Sequence, residues 1–581
     1  MRFRSLVFLA ALLLPFHSPG GDPATHHEEQ EPAAVTELRI PPGSMAVEQS
    51  VPGARPPARM LVHFDGLGVG FPGEQPGGPG RNPSDNSLAV GPSHIVQIVN
   101  SRLAVFDKRG KLLYGSVPTN TVFQGFGGVC EERNNGDAVV RYDQLAERWL
   151  YVMPIFGKIP DRPEEPYSMC YALSTGADPR GPFYRYEFHR KLFPDYPRPA
   201  VWPDGYYVPT STGDEVIQKH VCIADRAKML AGLPATEQCV VIDNVNFLNN
   251  ADIDGPGLPP PGAPNIMLAA GGTQLRGIFE DDGIYAWKVH VDWTNPANTR
   301  ADGPVKIPVA PYHYLCNGQL TSCVPQPGTD RHLDAQGDKI MQRLVYRNIG
   351  GIEALVAVHS VNTAAGAGGV RWYEFRVGEN RAVSLHQQGT YAPDRFFRWM
   401  ASPDMDRQGN IGIGYSFGGT PNFAGQRFAG RLATDPPGVL SLRETIAVEG
   451  EAAQEATLRW EDYASAAMDP SDDCTFWYVG DYLKKGEASY STVIASFRMP
   501  GCLRGTVAAS GLAKNHKFAY AGPEQGTVTT DATGAFSLSL PADEAFADPF
   551  YTFTDAATHK SATSRLKDRQ RVQLRFEKLR R

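Results

Sequence analysis

One short unit recurs along this chain: an apolar run, a tight turn built from Asp, Pro and Gly, and a second apolar run. It reads Ser87-Leu-Ala-Val-Gly-Pro-Ser-His-Ile-Val-Gln-Ile-Val near the start. It returns as Trp399-Met-Ala-Ser-Pro-Asp-Met-Asp, closed by Gly409-Asn-Ile-Gly-Ile-Gly-Tyr, and again from Tyr463-Ala-Ser-Ala-Ala-Met-Asp-Pro to Cys474-Thr-Phe-Trp-Tyr-Val. Short apolar runs bounded by turn residues are strands buried on both faces. One hairpin repeated at long, fairly even intervals points to a ring of sheets, a β-propeller. Further units are Ala138-Val-Val-Arg-Tyr-Asp with Arg148-Trp-Leu-Tyr-Val-Met, Ala200-Val-Trp-Pro-Asp-Gly-Tyr-Tyr-Val, and Arg343-Leu-Val-Tyr-Arg-Asn-Ile-Gly-Gly. A weaker one lies around Asn265-Ile-Met-Leu-Ala-Ala and Gly283-Ile-Tyr-Ala-Trp. These units predict an all-β fold with seven blades, six being the alternative. Arg59-Met-Leu-Val-His-Phe is expected to supply the missing strand of the last blade.

The flanks read differently. Arg2 and Arg4 precede an apolar run from Leu6 to Phe16, and small residues follow at Ser18, Gly20 and Gly21. This is the layout of a secretory signal peptide, placed at 1–21. Residues 22–58, rich in Pro, Glu, Ala and Gly, are expected to be a disordered leader. The propeller is assigned to 59–500. After Cys502 the period-two alternation of Gly526-Thr-Val-Thr-Thr-Asp-Ala-Thr-Gly-Ala-Phe-Ser-Leu predicts a small β-sandwich over 501–581. A net charge of -7 over 581 residues provides no basic field for nucleic acid. No apolar run is long enough to span a membrane comfortably. The expected location is therefore secreted or periplasmic, the chain a monomer, and the partner an extracellular glycan or envelope polymer. Export makes the eight cysteines oxidisable. Neighbour pairing is expected: 130–170, 222–239, 316–323 and 474–502.

The phase of the repeat points to candidate chemistry. Six residues before each inner turn stand Asp85, Asp137, Arg198, Gln342, Arg398 and Tyr463, all polar, ahead of mainly apolar strands. Arg343 and Asp462 join them one residue away. This layer predicts a polar ring at the mouth of a packed channel. Asp85, Asp137 and Asp462 are candidate acids and bases, and Tyr463 a candidate nucleophile or proton donor. Arg198, Arg343 and Arg398, with Gln342, are candidates to clamp a substrate carboxylate. Trp202, Trp399 and Trp460 lie close by in sequence as candidate stacking platforms. Asn250, Asp252 and Asp254, closed by Gly255, resemble the first half of a calcium loop, but Pro261 stands where its final Glu belongs. A structural calcium ion is the one cofactor suggested. Asp404, Asp406 and Asn410 form a weaker set that reads as a tight hairpin.

Several stretches resemble secreted bacterial propellers of the sialidase-like, BNR-repeat family. They are Asn82-Pro-Ser-Asp-Asn-Ser-Leu-Ala-Val-Gly-Pro, Asp195-Tyr-Pro with Val201-Trp-Pro-Asp-Gly-Tyr-Tyr, His290-Val-Asp-Trp-Thr-Asn-Pro-Ala-Asn, Arg371-Trp-Tyr-Glu, and Arg459-Trp-Glu-Asp-Tyr through Asp472-Asp-Cys-Thr-Phe-Trp-Tyr. The likeness covers most of 60–500. It implies an exported propeller and transfers no activity, because the Ser-x-Asp-x-Gly-x-Thr-Trp boxes of true sialidases are missing. The C-terminal part resembles the carboxypeptidase-regulatory-like sandwich, an accessory module. Three readings follow: glycan recognition at the funnel, a glycoside hydrolase or lyase, and a protein-interaction scaffold.

Overall fold

The computed structural model describes residues 32–73, 82–156, 166–211, 218–245, 247–272, 279, 281–318 and 321–578. The signal peptide and the first part of the leader lie outside them. Antiparallel meanders of four strands follow one another along the chain, and the fourth and fifth are joined, Ala251–Ile253 pairing in parallel with Leu344–Tyr346, into one nine-stranded sheet that also takes in Glu48–Gln49. The first is Ser87–Val90, His94–Val99, Arg102–Asp107 and Leu112–Pro118; the second is Val139–Asp143, Arg148–Ile155, Tyr167–Ser174 and Phe183–Arg190. The third is Ala200–Trp202, Gly205–Ser211, Gln218–Ala224 and Glu237–Asp243; the fourth is Asn249–Ile253, Asn265–Ala270, Gly283–His290 and Arg300–Pro308. The fifth is Leu344–Ile349, Ile352–Asn362, Gly368–Val377 and Val383–Tyr391; the sixth is Phe397–Met405, Ile411–Gly419, Asn422–Arg431 and Thr445–Val448. A last sheet joins Ser465–Met468, Thr475–Tyr482 and Ser491–Arg498 to Arg59–Asp65, which pairs antiparallel with the 491–498 strand as expected.

The first strand of each sheet lies beside the first strand of the next, and the last sheet returns to the first, so the sheets form a ring. Backbone and side chains pin these inner strands together. The Val140 N–H donates to Ser87 Oγ, the Val201 N–H to Asp252 Oδ1 and the Ala466 N–H to Ser402 Oγ. Apolar clusters fill the spaces between neighbouring sheets, with Trp149 and Val96 in one and Tyr478 and Phe497 in another. Sheets covered on both faces explain why their strands read as continuous apolar runs rather than alternating ones. The fourth unit reads weakly because its first strand, Asn-Asn-Ala-Asp-Ile, carries side chains committed to polar partners.

Turn chemistry repeats with the hairpins. Asp143 Oδ1 accepts from the N–H groups of Leu145 and Ala146. Asp406 Oδ1 accepts from those of Gln408 and Asn410, so the Asp404/Asp406/Asn410 set is a hairpin turn. Asn348 Oδ1 accepts from Gly351 N–H.

The leader differs from expectation. From residue 32 on it is laid along the ring rather than disordered. Ala33–Ala34 pairs in parallel with residues 321–322, Glu48–Gln49 pairs with 390–391, and Arg55 bonds Asp435 at 2.8 Å. Its few apolar residues suffice because it lies on edge strands that offer unpaired backbone groups, and Val35, Leu38 and Ala58 reach the core. Four disulfides join Cys130–Cys170, Cys222–Cys239, Cys316–Cys323 and Cys474–Cys502, the pairing of sequence neighbours. Beyond Cys502, a three-stranded and a five-stranded sheet share one apolar cluster around Val507, Phe518, Phe536 and Phe553. Arg498 reaches Asp543 at 3.2 Å and Arg407 reaches Asp568, tying this unit to the ring. No helix among the described residues is long and apolar enough to cross a membrane.

Candidate functional site

Asp85 and Asp137 precede the first strands of neighbouring sheets and share a left-handed backbone, φ 50 and 51. Left-handed residues are uncommon outside Gly and cluster where local structure over-determines them. Here Asn100 does so. Its Nδ2 donates to Asp85 Oδ2 at 2.9 Å and to the Pro83 carbonyl at 3.0 Å. Asp462 adopts the same backbone, φ 59, just before the last sheet. Its Oδ1 accepts from Gln336 Nε2 at 2.7 Å and from Arg459 Nη2 at 2.5 Å.

Tyr463 follows and stands edge-on to Tyr196, ring centroids 5.1 Å apart. Its hydroxyl is buried and meets no hydrogen-bond partner among the described residues. Burial, then Asp137 and Asp85, push this phenol well above its ordinary range. It therefore stays protonated near neutral pH and serves as a donor rather than a phenolate. Arg198 is buried beside it, its Cζ 4.6 Å from the centre of the Tyr196 ring, with Nη1 donating to the Ile340 carbonyl at 2.7 Å. The structure thus brings Asp85, Asp137, Arg198, Asp462 and Tyr463 to the end of the ring where the inner strands begin.

Three residues outside the sequence candidates complete this mouth. Lys219 Nζ lies 5.0 Å from the Phe247 ring centre and Lys339 Nζ 4.1 Å from it, and Arg198 is 5.5 Å away. Burial and then Arg198 push Lys219 down to about 7. Asp338 faces Lys339 at 3.5 Å. Lys339 belongs to the connection between the fourth and fifth sheets, whose residues Asp334, Gln336 and Lys339 meet the mouth at Trp460, Asp462 and the Phe247 ring. Asp334 on that connection accepts from the Trp460 N–H at 2.8 Å and faces Arg459 at 3.2 Å. Sequence offered no signal for these residues: Lys219 stands between Gln218 and His220 at the polar start of its strand.

The remaining candidates lie elsewhere. Arg398 is fully buried among its own sheet's partners, bonding Asp394 at 2.9 Å and Glu444 at 2.7 Å, and is absent from the mouth. A bulge between Trp399 and Ser402, with Met400 left-handed at φ 47, breaks the register on which the counting relied. Trp202, Trp399 and Trp460 are buried in the core and offer no open ring face. Gln342 and Arg343 sit deeper in the channel. Gln342 Oε1 accepts from Arg141 Nη2 at 3.1 Å.

Arg343 lies 3.6 Å from Asp252 and 3.6 Å from Asp404 and also pairs with Asp254, while Arg141 holds Asp252 at 3.3 Å. The cavity here measures about 30 Å³. That is room for about two waters and too little for a sugar. The calcium candidates belong to this network. Asn250 donates its Nδ2 to the Tyr207 carbonyl at 2.8 Å, and two guanidiniums occupy the carboxylates of Asp252 and Asp254. A donor set already neutralised by arginine does not fit a calcium ion.

No protein-family model matches the chain, and no curated protein matches it. Among solved structures, PorZ, a surface component of the type-IX secretion system of Porphyromonas gingivalis, is similar at 9% identity and TM-score 0.26, over 84% of this chain and 70% of that one. The WD40 domain of SCAP from fission yeast is similar at 10% identity and TM-score 0.30, over 81% and 92%. An exo-1,5-alpha-L-arabinanase from a bovine ruminal metagenomic library is similar at 10% identity and TM-score 0.26, over 61% and 96%.

Proposed function

We propose that this chain is an exported seven-bladed β-propeller whose mouth recognises an extracellular glycan. Each four-stranded meander is read as a blade, and residues 501–581 as an accessory β-sandwich. The cysteine pairing suits an oxidising compartment outside the cytoplasm. One observation carries the recognition reading: the buried, protonated Tyr463 hydroxyl without a partner among the described residues, beside Asp85, Asp137 and Arg198. An unmatched buried hydroxyl costs about 1–3 kcal/mol, and natural proteins tolerate such groups where a ligand completes them. Donors from Tyr463 and Arg198, acceptors from Asp85 and Asp137, and the Tyr196 ring are the groups a sugar ring recruits.

A hydrolase is the second reading, favoured by the matched placement of Asp85 and Asp137 beside Tyr463. In it the two carboxylates would act as acid and base, and the protonated Tyr463 would donate.

The test is a panel of acidic and neutral polysaccharides, read for retention by affinity electrophoresis and for cleavage by new reducing ends. Tyr463→Phe should weaken retention at least tenfold and leave the melting temperature unchanged or slightly raised. Retention of no polysaccharide, or a Tyr463→Phe protein that binds like the parent, sinks the reading. Cleavage that disappears in Asp137→Asn would select the hydrolase.

A further inference from the structure

The flank of the ring carries a second concavity, between the outer strands of the first and second sheets. It measures about 270 Å³, close to the lower end of small-molecule sites. Tyr114, on the outer strand of the first sheet, is 38% exposed and forms one wall. Phe183, on the outer strand of the second, forms another and is held edge-on by Tyr151 at 5.4 Å. Val122 gives an apolar floor, and Gln124 and Arg185 contribute polar groups.

Arg185 sets the charge of this groove. Its Nε donates to the Val122 carbonyl at 2.6 Å, which fixes the guanidinium. Among the described residues no carboxylate lies within ion-pair distance of it. Glu131, the acid it influences, is engaged by the Gly127 N–H at 2.7 Å. The other lining guanidinium, Arg180, is already matched by Asp178 at 2.6 Å. The groove therefore offers one fixed planar cation, without an ion pair among the described residues, between two aromatic walls.

We infer that this groove binds an acidic saccharide, with a sugar carboxylate on Arg185 and the apolar face of the ring against Tyr114. Planar guanidinium forks match carboxylates, and aromatic walls match the C–H face of a pyranose. The edge argues against an extended peptide. The Arg102–Asp107 and Leu112–Pro118 pairing is irregular at two places, with Gly115 left-handed at φ 92, so the outer strand lacks the straight hydrogen-bonding row that strand addition requires. This site is distinct from the mouth.

The probe is trigalacturonate, with maltotriose as the neutral control, titrated calorimetrically into the full chain. Trigalacturonate should bind and weaken as salt rises, and maltotriose should bind at least tenfold more weakly. Arg185→Gln and Tyr114→Ser should each cost tenfold or more, with Arg185→Lys intermediate. Arg185 and Tyr114 line this groove and take no part in the mouth, so a loss confined to their variants separates failure here from failure at the mouth. The inference is overturned if the parent fails to bind trigalacturonate, if maltotriose binds equally, or if Arg185→Gln and Tyr114→Ser, folded by circular dichroism, bind like the parent.

Discussion

At the residue scale, the mouth is built from a backbone conformation that most side chains avoid. Gly136, φ 112, precedes Asp137, and a Cβ there would meet Asn100 Oδ1 at 2.9 Å. Gly136→Ala should therefore lower stability by about 1–3 kcal/mol and displace Asn100 from Asp85. Thermal melting reads the first effect and glycan retention the second. The polar layer was legible in the sequence where the strand is continuous: Asp85, Asp137 and Tyr463 follow from counting back from the turn. It failed at Arg398, where an inserted bulge shifts the count. It also missed Lys219, on the third strand of its sheet, and Lys339, on a connection, because neither takes part in the repeated unit.

At the element scale, the seam between the sixth, last and first sheets is a chain of buried polar contacts. Glu461 accepts from Ser416 Oγ and Gln426 Nε2, both at 2.9 Å, and from the Asp481 N–H. Asp481 accepts from Asn86 Nδ2 at 2.6 Å, and Gln97 continues to Thr492 at 2.9 Å. Burial pushes Asp481 up from 3.8 to about 7 and raises Glu461 as well. The folded state keeps protons that the unfolded chain releases above about pH 4. Stability from Asp481 is thus greatest at low pH, falls as pH climbs towards 7, and levels off beyond it, and Glu461 adds a loss of the same sign. Asp481→Asn should flatten that trend, gaining on the parent by on the order of 1–2 kcal/mol between pH 5 and pH 8. Chemical denaturation at the two pH values measures it; a parallel pH dependence in both proteins would refute the assignment.

The disulfides act at the same scale. Cys130–Cys170 closes a loop with a separation of 40 residues. The loop-entropy relation gives about 4 kcal/mol for such a closure. Cys130→Ser with Cys170→Ser should lose up to that amount in denaturant unfolding. Pairing of sequence neighbours was readable because each bridge spans a short stretch within or beside one hairpin unit.

At the scale of the whole molecule, charge is buried along the axis as well as at the mouth. Arg347, on the fifth sheet, grips Asp473, in the turn of the last sheet, through two bonds of 2.7 and 2.8 Å. Breaking such a pair leaves one charge stranded and costs about 3–5 kcal/mol, whereas replacing both partners by apolar groups is often neutral. Arg347→Met should unfold at markedly lower denaturant, and Arg347→Met with Asp473→Leu should recover most of the loss. The ring itself was legible because every unit but the fourth joins its first two strands by a short polar turn, as at Asp143, Asn348, Asp406 and Asp469. The connection between the fourth and fifth sheets was not, since its course follows from single side-chain bonds such as Gln336 to Asp462.

The strand Arg59–Asp65 gives the fold a timetable. It is made early, yet its partners are made near the end; Leu67 and Thr492, which bond across that seam, stand 425 residues apart. Until the 491–498 strand emerges, the early strand has no sheet to join, and the newborn chain holds an unpaired hydrogen-bonding edge throughout most of its synthesis. Completion of the circle is then a single late event, so a chain interrupted before residue 491 is left with an open ring rather than a smaller finished one.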